Sequence, residues 1–357
     1  MRDSILIINW GMRFLRGGGE SSVESIYSLY SKKYPSLKIE IVSAWFCYGK
    51  SPLQDRQRDF PMKLLPSLVF YWSSCSTSSI LLTWFKRFLK WGSLFLFEIF
   101  SIAYAFFRHR RSLIICSDLF ICYFVLSWLL PSANVVLRLH GPVKASFHRL
   151  LIRRVSGKVI TNGRDDLPVD LNADRIIRIT PPLPHYFYVP PVQIRHKWQS
   201  SERRVVFAGR LELIKGADRI VDYVQFIKPH LNVTNLTICG DGSLRSRILV
   251  QQHYLGKIDI NVEYIPQLTR TQVADLLISS HVVIVPSRQD FSPNIVREAL
   301  AAGCVVIVSP EIAEQFSDKR NIYPIESIST SIIFDATLLE HGSDASHHTC
   351  EWQDLLN

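Results

Sequence analysis

The chain has 357 residues, of which 47% are hydrophobic, and a formal net charge of +10. It is too long for one ordinary α/β layer and apolar enough for two cores. Its seven cysteines are odd in number, scattered and without a C-x-x-C pair, which favours a reducing cytoplasm over a secreted disulfide scaffold.

Residues 1–200 hold 27 Lys/Arg against 12 Asp/Glu, whereas residues 201–357 hold 14 against 19. No nucleic-acid motif accompanies the basic half, so the surplus suggests contact with an anionic membrane surface or with phosphorylated substrates, and no nucleic-acid partner. A solvated basic face explains the same numbers.

In chain order, Ser4 to Asn9 reads as a strand and not as a leader peptide. Gly17, Gly18 and Gly19 form a loop, and Ser22 to Tyr34 reads as a helix that stops before Pro35. The G-x-G-x-x-G dinucleotide spacing is absent. Lys38 to Ser43 is a second strand, and residues 50–80 read as loop. Ile80 to Phe107 is rich in Leu, Phe and Trp but is broken by Lys86, Arg87, Lys90 and Glu98, which is too interrupted for a spanning helix. It suits an interfacial helix, and equally a buried core helix. Leu113 to Leu130 reads as strand, turn and helix. Val135 to Leu139, Val159 to Thr161 and Ile176 to Ile179 are short strands.

The prolines at 181, 182, 184, 190 and 191 mark a linker, giving domains of 1–185 and 186–357. The second domain alternates regularly: strand 204–208, helix 218–227, strand 235–239, helix 244–253, strand 261–264, helix 270–279, strand 282–285, helix 293–302 and strand 304–308. Two α/β units with parallel sheets follow. A terminal helix at Cys350 to Leu356 is weakly indicated. His347, His348 and Cys350 cluster beside it, and this polar tail carries no metal assignment.

Three loops of the second domain carry chemistry. After strand 204–208 comes Gly209-Arg210-Leu211-Glu212-Leu213-Ile214-Lys215-Gly216, with two cations flanking a strand–helix turn where a diphosphate could be held. After strand 235–239, Gly240 and Gly242 permit a close backbone approach. After strand 282–285 comes Pro286-Ser287-Arg288-Gln289-Asp290-Phe291-Ser292-Pro293-Asn294-Ile295-Val296-Arg297-Glu298, with seven residues between the two acids. Ser292 suits the N-cap, Pro293 the first helical position and Gly303 the stop. Carboxylates accept from sugar hydroxyls, and a helix start receives phosphate.

This last segment resembles the E-x7-E motif of retaining glycosyltransferases of the two-Rossmann-domain GT-B type, in particular glycosyltransferase family 4, with Asp290 in place of the first Glu. The Gly209–Gly216 stretch is similar to the family's G-R-L-x-x-x-K-G motif, and Gly240 to Leu244 to its G-x-G-x-L turn. The resemblance implies a GT-B fold and transfer from a UDP- or GDP-sugar, used as substrate with no separate cofactor and no metal. It implies that Arg210 and Lys215 stabilise the departing diphosphate, Asp290 binds a donor-sugar hydroxyl and Glu298 the ribose. The start of the helix, at Ser292, Pro293, Asn294 and Ile295, would face the sugar or phosphate, with Gly209, Gly240 and Gly242 near the nucleotide. In the first domain Val136-Leu137-Arg138-Leu139-His140-Gly141 resembles the family's strand ending in H-G or H-D, which puts His140 over the donor sugar. The loop with Gly18 and Gly19 would approach the diphosphate or the acceptor. Arg138 and Lys144 suit a phosphorylated acceptor, and equally a solvated face. The acceptor would be a glycan or lipid-linked molecule met from the first domain, with peripheral contact to an anionic membrane. A catalytically inactive sugar-nucleotide-binding protein fits the Asp290 departure. A Rossmann oxidoreductase is disfavoured by the missing dinucleotide fingerprint.

Overall fold

The computed structural model describes residues 4–14, 18–48, 60–70, 80–140, 143, 145–161, 171–179, 181–256, 259–290, 293–316 and 320–328. The chain divides into two compact units between Pro182 and Leu183.

The first unit is built on seven parallel strands: β1 (Ser4–Ile8), β2 (Lys38–Tyr48), β3 (Met62–Phe70), β4 (Leu113–Ser117), β5 (Asn134–Arg138), β6 (Lys158–Thr161) and β7 (Ile176–Arg178). Their order is β3-β2-β1-β4-β5-β6-β7. The order reverses between β1 and β4, the topological switch point beside which open α/β sheets bind ligands. The helices are α1 (Gly18–Lys33), α2 (Ile80–Arg108), α3 (Phe120–Leu129) and α4 (Ser146–Arg153). The strands are apolar nearly throughout because helices cover both faces of a parallel sheet. Leu6, Ile114 and Leu137 pack into one cluster, and Ile5, Ile115 and Val136 into another.

Two expectations are corrected here. Residues 62–70, read as loop, form β3. Its Pro66 and Ser67 hide a strand, and an edge strand tolerates proline because one side needs no ladder donors. Gly18 and Gly19, read as loop, lie in the first turn of α1, with Glu20 beside them where an acid favours a helix start.

The second unit has six parallel strands: β8 (Arg203–Ala208), β9 (Val233–Cys239), β10 (Asn261–Ile265), β11 (Val282–Val285), β12 (Val305–Val308) and β13 (Ile322–Pro324). Their order, β10-β9-β8-β11-β12-β13, puts the switch point between β8 and β11. Its helices are α5 (Pro191–Trp198), α6 (Ile220–Leu231), α7 (Arg245–Gly256), α8 (Arg270–Ile278), α9 (Asn294–Ala301) and α10 (Pro310–Ala313). Both β11 and β12 read Val-Val-Ile-Val and are fully buried. A capping box starts α8: Thr269 accepts from the Gln272 N–H while the Gln272 side chain accepts from the Thr269 N–H. The short α5 starts at the last proline of the expected linker, where the sequence predicts no helix. Its Lys197 donates to the carbonyls of Ser280 (2.7 Å) and Ala302 (2.9 Å), just past the ends of α8 and α9. The helix expected at 293–302 starts one residue later, with Pro293 and not Ser292 in the cap position. Ser292, Gly17, Lys144 and the tail with His347, His348 and Cys350 lie outside the described residues.

Candidate active site

The second unit brings the three motif loops together at the carboxyl end of its sheet, on either side of the β8/β11 switch point. The loop after β8 and the loop after β11 are bound to each other. Arg288 N–H donates to the Ile214 carbonyl (3.0 Å), and the Arg288 guanidinium grips Asp218 with two bonds, 2.6 and 2.7 Å. That fork holds the Asp218 carboxyl below the ordinary carboxylate range. Gly216, at φ +68°, lies where a Cβ would sit 1.9 Å from the Pro286 carbonyl oxygen, so only glycine lets the loops approach. Gly240, at φ +141°, does the same for the loop after β9, where a Cβ would sit 1.8 Å from the Gly209 oxygen. Glu212 then accepts from the Ser243 hydroxyl (2.7 Å) and N–H (3.2 Å), and Gly242 donates to Asp241 (2.9 Å).

On this frame Lys215 forms an ion pair with Asp290, both side chains largely but not wholly buried. The Asp290 carbonyl accepts from Gln315 (2.7 Å), which fixes the loop from its other side. Arg210 is exposed, and among the described residues no side-chain hydrogen bond or ion pair holds it. The cap residue of α9, Pro293, supplies no side-chain hydrogen bond to the first turn, formed by Asn294, Ile295 and Val296. Two cations and a helix start can receive phosphate oxygens, and Asp290 can accept from a hydroxyl.

Glu298 is placed differently from expectation. It is 4% exposed, with Oε1 2.7 Å from Arg270 Nη1. Burial pushes its pKa up against the pull of Arg270 and Arg297. A ribose hydroxyl would therefore meet a carboxylate already held by Arg270. Sequence reading missed Arg270, Arg288, Asp218 and Gln315. Only Arg270 left a signal, as the first helical residue after a capping threonine.

In the first unit, three loops meet at the other switch point. His140 follows β5, Asp118 follows β4, and Gly19 opens α1 after β1. The His140 ring lies against the Gly19 backbone, 3.5 Å from where a Cβ would be. Asp118 Oδ1 accepts from the His140 N–H (3.1 Å), and Oδ2 lies 2.8 Å from its Nδ1. Arg138 Nε donates to His140 Nε2 (3.2 Å), which assigns the proton of the neutral ring to Nδ1. Desolvation opposes ionisation of Asp118, but the hydrogen bonds from His140, with the Arg138 charge behind, hold its carboxyl below the ordinary range. Asp118 holds φ +54°, a conformation uncommon outside glycine and asparagine-like residues. Both nitrogens of His140 are thus engaged within the unit. Arg138, expected to reach an acceptor, is fully buried and cannot do so. Among the described residues no group of three or more His, Cys, Asp or Glu side chains is arranged to hold a metal ion.

Residues 202–336 match the family model described as Glycosyl transferases group 1. No curated protein matches the sequence. Among solved structures, the chain is similar to HepE of Anabaena in complex with UDP and glucose, with a TM-score of 0.61 and 16% identity over 100% of this chain and 95% of that one. It is also similar to a trehalose-6-phosphate protein from E. coli bound with UDP-2-fluoro glucose (TM-score 0.60, 11% identity, 99% and 94% covered). A third likeness is to WaaG, a glycosyltransferase involved in lipopolysaccharide biosynthesis (TM-score 0.54, 14% identity, 99% and 94% covered). At these identities the likeness establishes the fold: two parallel-sheet α/β domains of the GT-B type.

Proposed function

We propose that the protein is a glycosyltransferase that takes a sugar from a UDP- or GDP-sugar and passes it, with retention of anomeric configuration, to a glycan or lipid-linked acceptor in cell-surface polysaccharide assembly. The observation that carries the reading is the Lys215–Asp290 pair at the β8/β11 switch point, inside the segment that matches the glycosyl transferase family model. The HepE and E. coli structures hold UDP or a UDP-sugar, which supports a nucleotide-sugar as donor.

In this reading the donor diphosphate lies against Arg210, Lys215 and the start of α9, and no divalent ion is assigned. Lys215 passes from Asp290 to the phosphate oxygens as they gain charge. Asp290 then accepts from a hydroxyl of the sugar, and Glu298, held by Arg270, from the ribose. The bond from the anomeric carbon to the diphosphate oxygen breaks. The bond to the acceptor oxygen forms on the same face, and the acceptor proton goes to the departing diphosphate. The first unit carries the acceptor, with His140 oriented by Asp118. The protein is placed in the cytoplasm, a reading its free buried cysteines at 116, 122, 239 and 304 support.

A second reading, a catalytically inactive nucleotide-sugar-binding protein, is favoured by one observation: Asp290 and Glu298 are both neutralised by internal cations. Calorimetric titration with UDP, GDP, ADP and NAD, without added metal, comes first. One nucleoside diphosphate should bind selectively, and more weakly to Glu298→Gln. Lys215→Ala should lower turnover of the matching nucleotide-sugar roughly a hundredfold while changing affinity less. Selective binding with neither transfer nor donor hydrolysis would favour the second reading. Preference for NAD would sink both.

A further inference from the structure

The longest helix, α2, spans 29 residues or about 43 Å, and among the described residues the side chains that join a core lie in its second half. There Phe97, Ser101 and Ala105 are fully buried at the spacing of one helix face, and Glu98 beside them accepts the Cys122 N–H (2.5 Å) at the start of α3. The first half is different. Trp84, Phe88, Trp91 and Phe95, spaced at 4, 3 and 4 residues, are 65, 73, 58 and 50% exposed. The patch continues onto α4: Trp91 lies 6.5 Å from the ring of His148, whose neighbours Phe147 and Leu150 are also exposed. Contiguous exposed aromatics on this scale mark an interaction surface.

The charges select the occupant. Residues 80–97 contain Lys86, Arg87 and Lys90 and no acid, and the next acid, Glu98, is 5% exposed. On α4 and the residue that ends it, the exposed charges are Arg149, Arg153 and Arg154. Residues 80–97 and α4 carry cations and no acid, with the exposed Asp118 the acid nearest His148, so a two-fold contact between copies of this face would set mostly like charges against each other. An anionic lipid surface complements it, since Trp and Phe enter the boundary between headgroups and acyl chains while Lys and Arg reach the phosphates. The segment Phe88–Arg108 is long and apolar enough to cross a membrane, but its inner face is part of the first unit's core. The helix must therefore lie along the surface and not through it.

We propose that the α2–α4 face docks the protein on an anionic membrane surface, with Trp84, Phe88 and Trp91 inserted and Lys90 against lipid phosphates. Docking of this face is independent of the activity proposed above.

The test is co-sedimentation of the full-length protein with vesicles of phosphatidylcholine alone or with one third phosphatidylglycerol, at low and high salt. Binding should require the anionic lipid and fall with salt. The Trp84→Ala/Phe88→Ala/Trp91→Ala variant should bind about tenfold less, Lys90→Glu should bind less than wild type, and Phe226→Ala, exposed in the second unit, should be unchanged. Brominated lipid should quench wild-type tryptophan fluorescence and quench the triple variant less, a readout that follows insertion directly. Absence of low-salt binding to anionic vesicles overturns the proposal, as does undiminished binding by the triple variant. A wild-type dimer that the triple variant converts to monomer would assign the face to a second copy and also overturn it.

Discussion

At the residue scale the first unit depends on a buried carboxyl. Glu98 reaches from α2 to the first turn of α3, where it accepts the Cys122 N–H and does the work of a cap that Leu119 cannot do. Burial, the largest influence, raises its pKa from 4.5 to about 7, against the lowering effect of the backbone N–H donors. A group whose pKa is raised on folding contributes stability fully below its unfolded value, and that contribution is lost as pH rises through the folded one. Wild type should therefore lose up to roughly 3 kcal/mol from this group between pH 4.5 and about 7. Glu98→Gln keeps an acceptor for Cys122 but cannot ionise. The Tm difference between variant and wild type should grow in the variant's favour from pH 4.5 to 8, as followed by circular dichroism. A pH-independent difference would show that the Glu98 carboxyl titrates alike in the folded and unfolded chains, as it would if water reached it.

At the element scale the site is a set of loops whose approach distances are set by glycine. Gly240→Ala would drive a Cβ to 1.8 Å from the Gly209 oxygen, in a backbone region that side chains avoid. The β8 and β9 loops must then part, and a loss of several kcal/mol in the second unit is expected by chemical denaturation. Thr269→Ala, which removes one half of the α8 capping box, should cost only about 1 kcal/mol. The contrast separates a steric requirement from a hydrogen bond that water can replace. These elements also show what a sequence makes legible. The strands at 282–285 and 305–308 are short runs of β-branched residues between turn signals, and the loops between them carry the charged residues, so position and chemistry are readable together. By contrast, β3 hides behind Pro66, α5 behind two prolines, and α4 is eight residues long. The pairing of Arg288 with Asp218, 70 residues away, leaves no local trace at all. Nor does the burial of Arg138, whose strand reads identically whether its arginine faces solvent or core.

At the scale of the whole molecule, each unit closes its own core. The clusters around Leu6 and Ile5 draw their buried members from the first unit, and those around Val205 and Val206 from the second. Among the described residues, no buried apolar cluster mixes the two sides of the Pro182/Leu183 boundary. Units with separate cores unfold as separate cooperative steps unless something outside those cores couples them. The nucleotide site proposed here is built from residues 209–298 of the second unit alone. A nucleoside diphosphate that binds there stabilises that unit by mass action, about 2.7 kcal/mol at a hundredfold excess over Kd, and leaves the other unit without a direct gain. Differential scanning calorimetry should thus show two transitions, with the nucleotide selected by titration raising one and not the other. The raised transition should be the one that Gly240→Ala lowers, and it should not respond to Glu98→Gln. A single transition, raised as a whole by nucleotide and lowered by either substitution, would mean that the units share stability despite their separate cores. It would also move the search for acceptor contacts to whatever couples them.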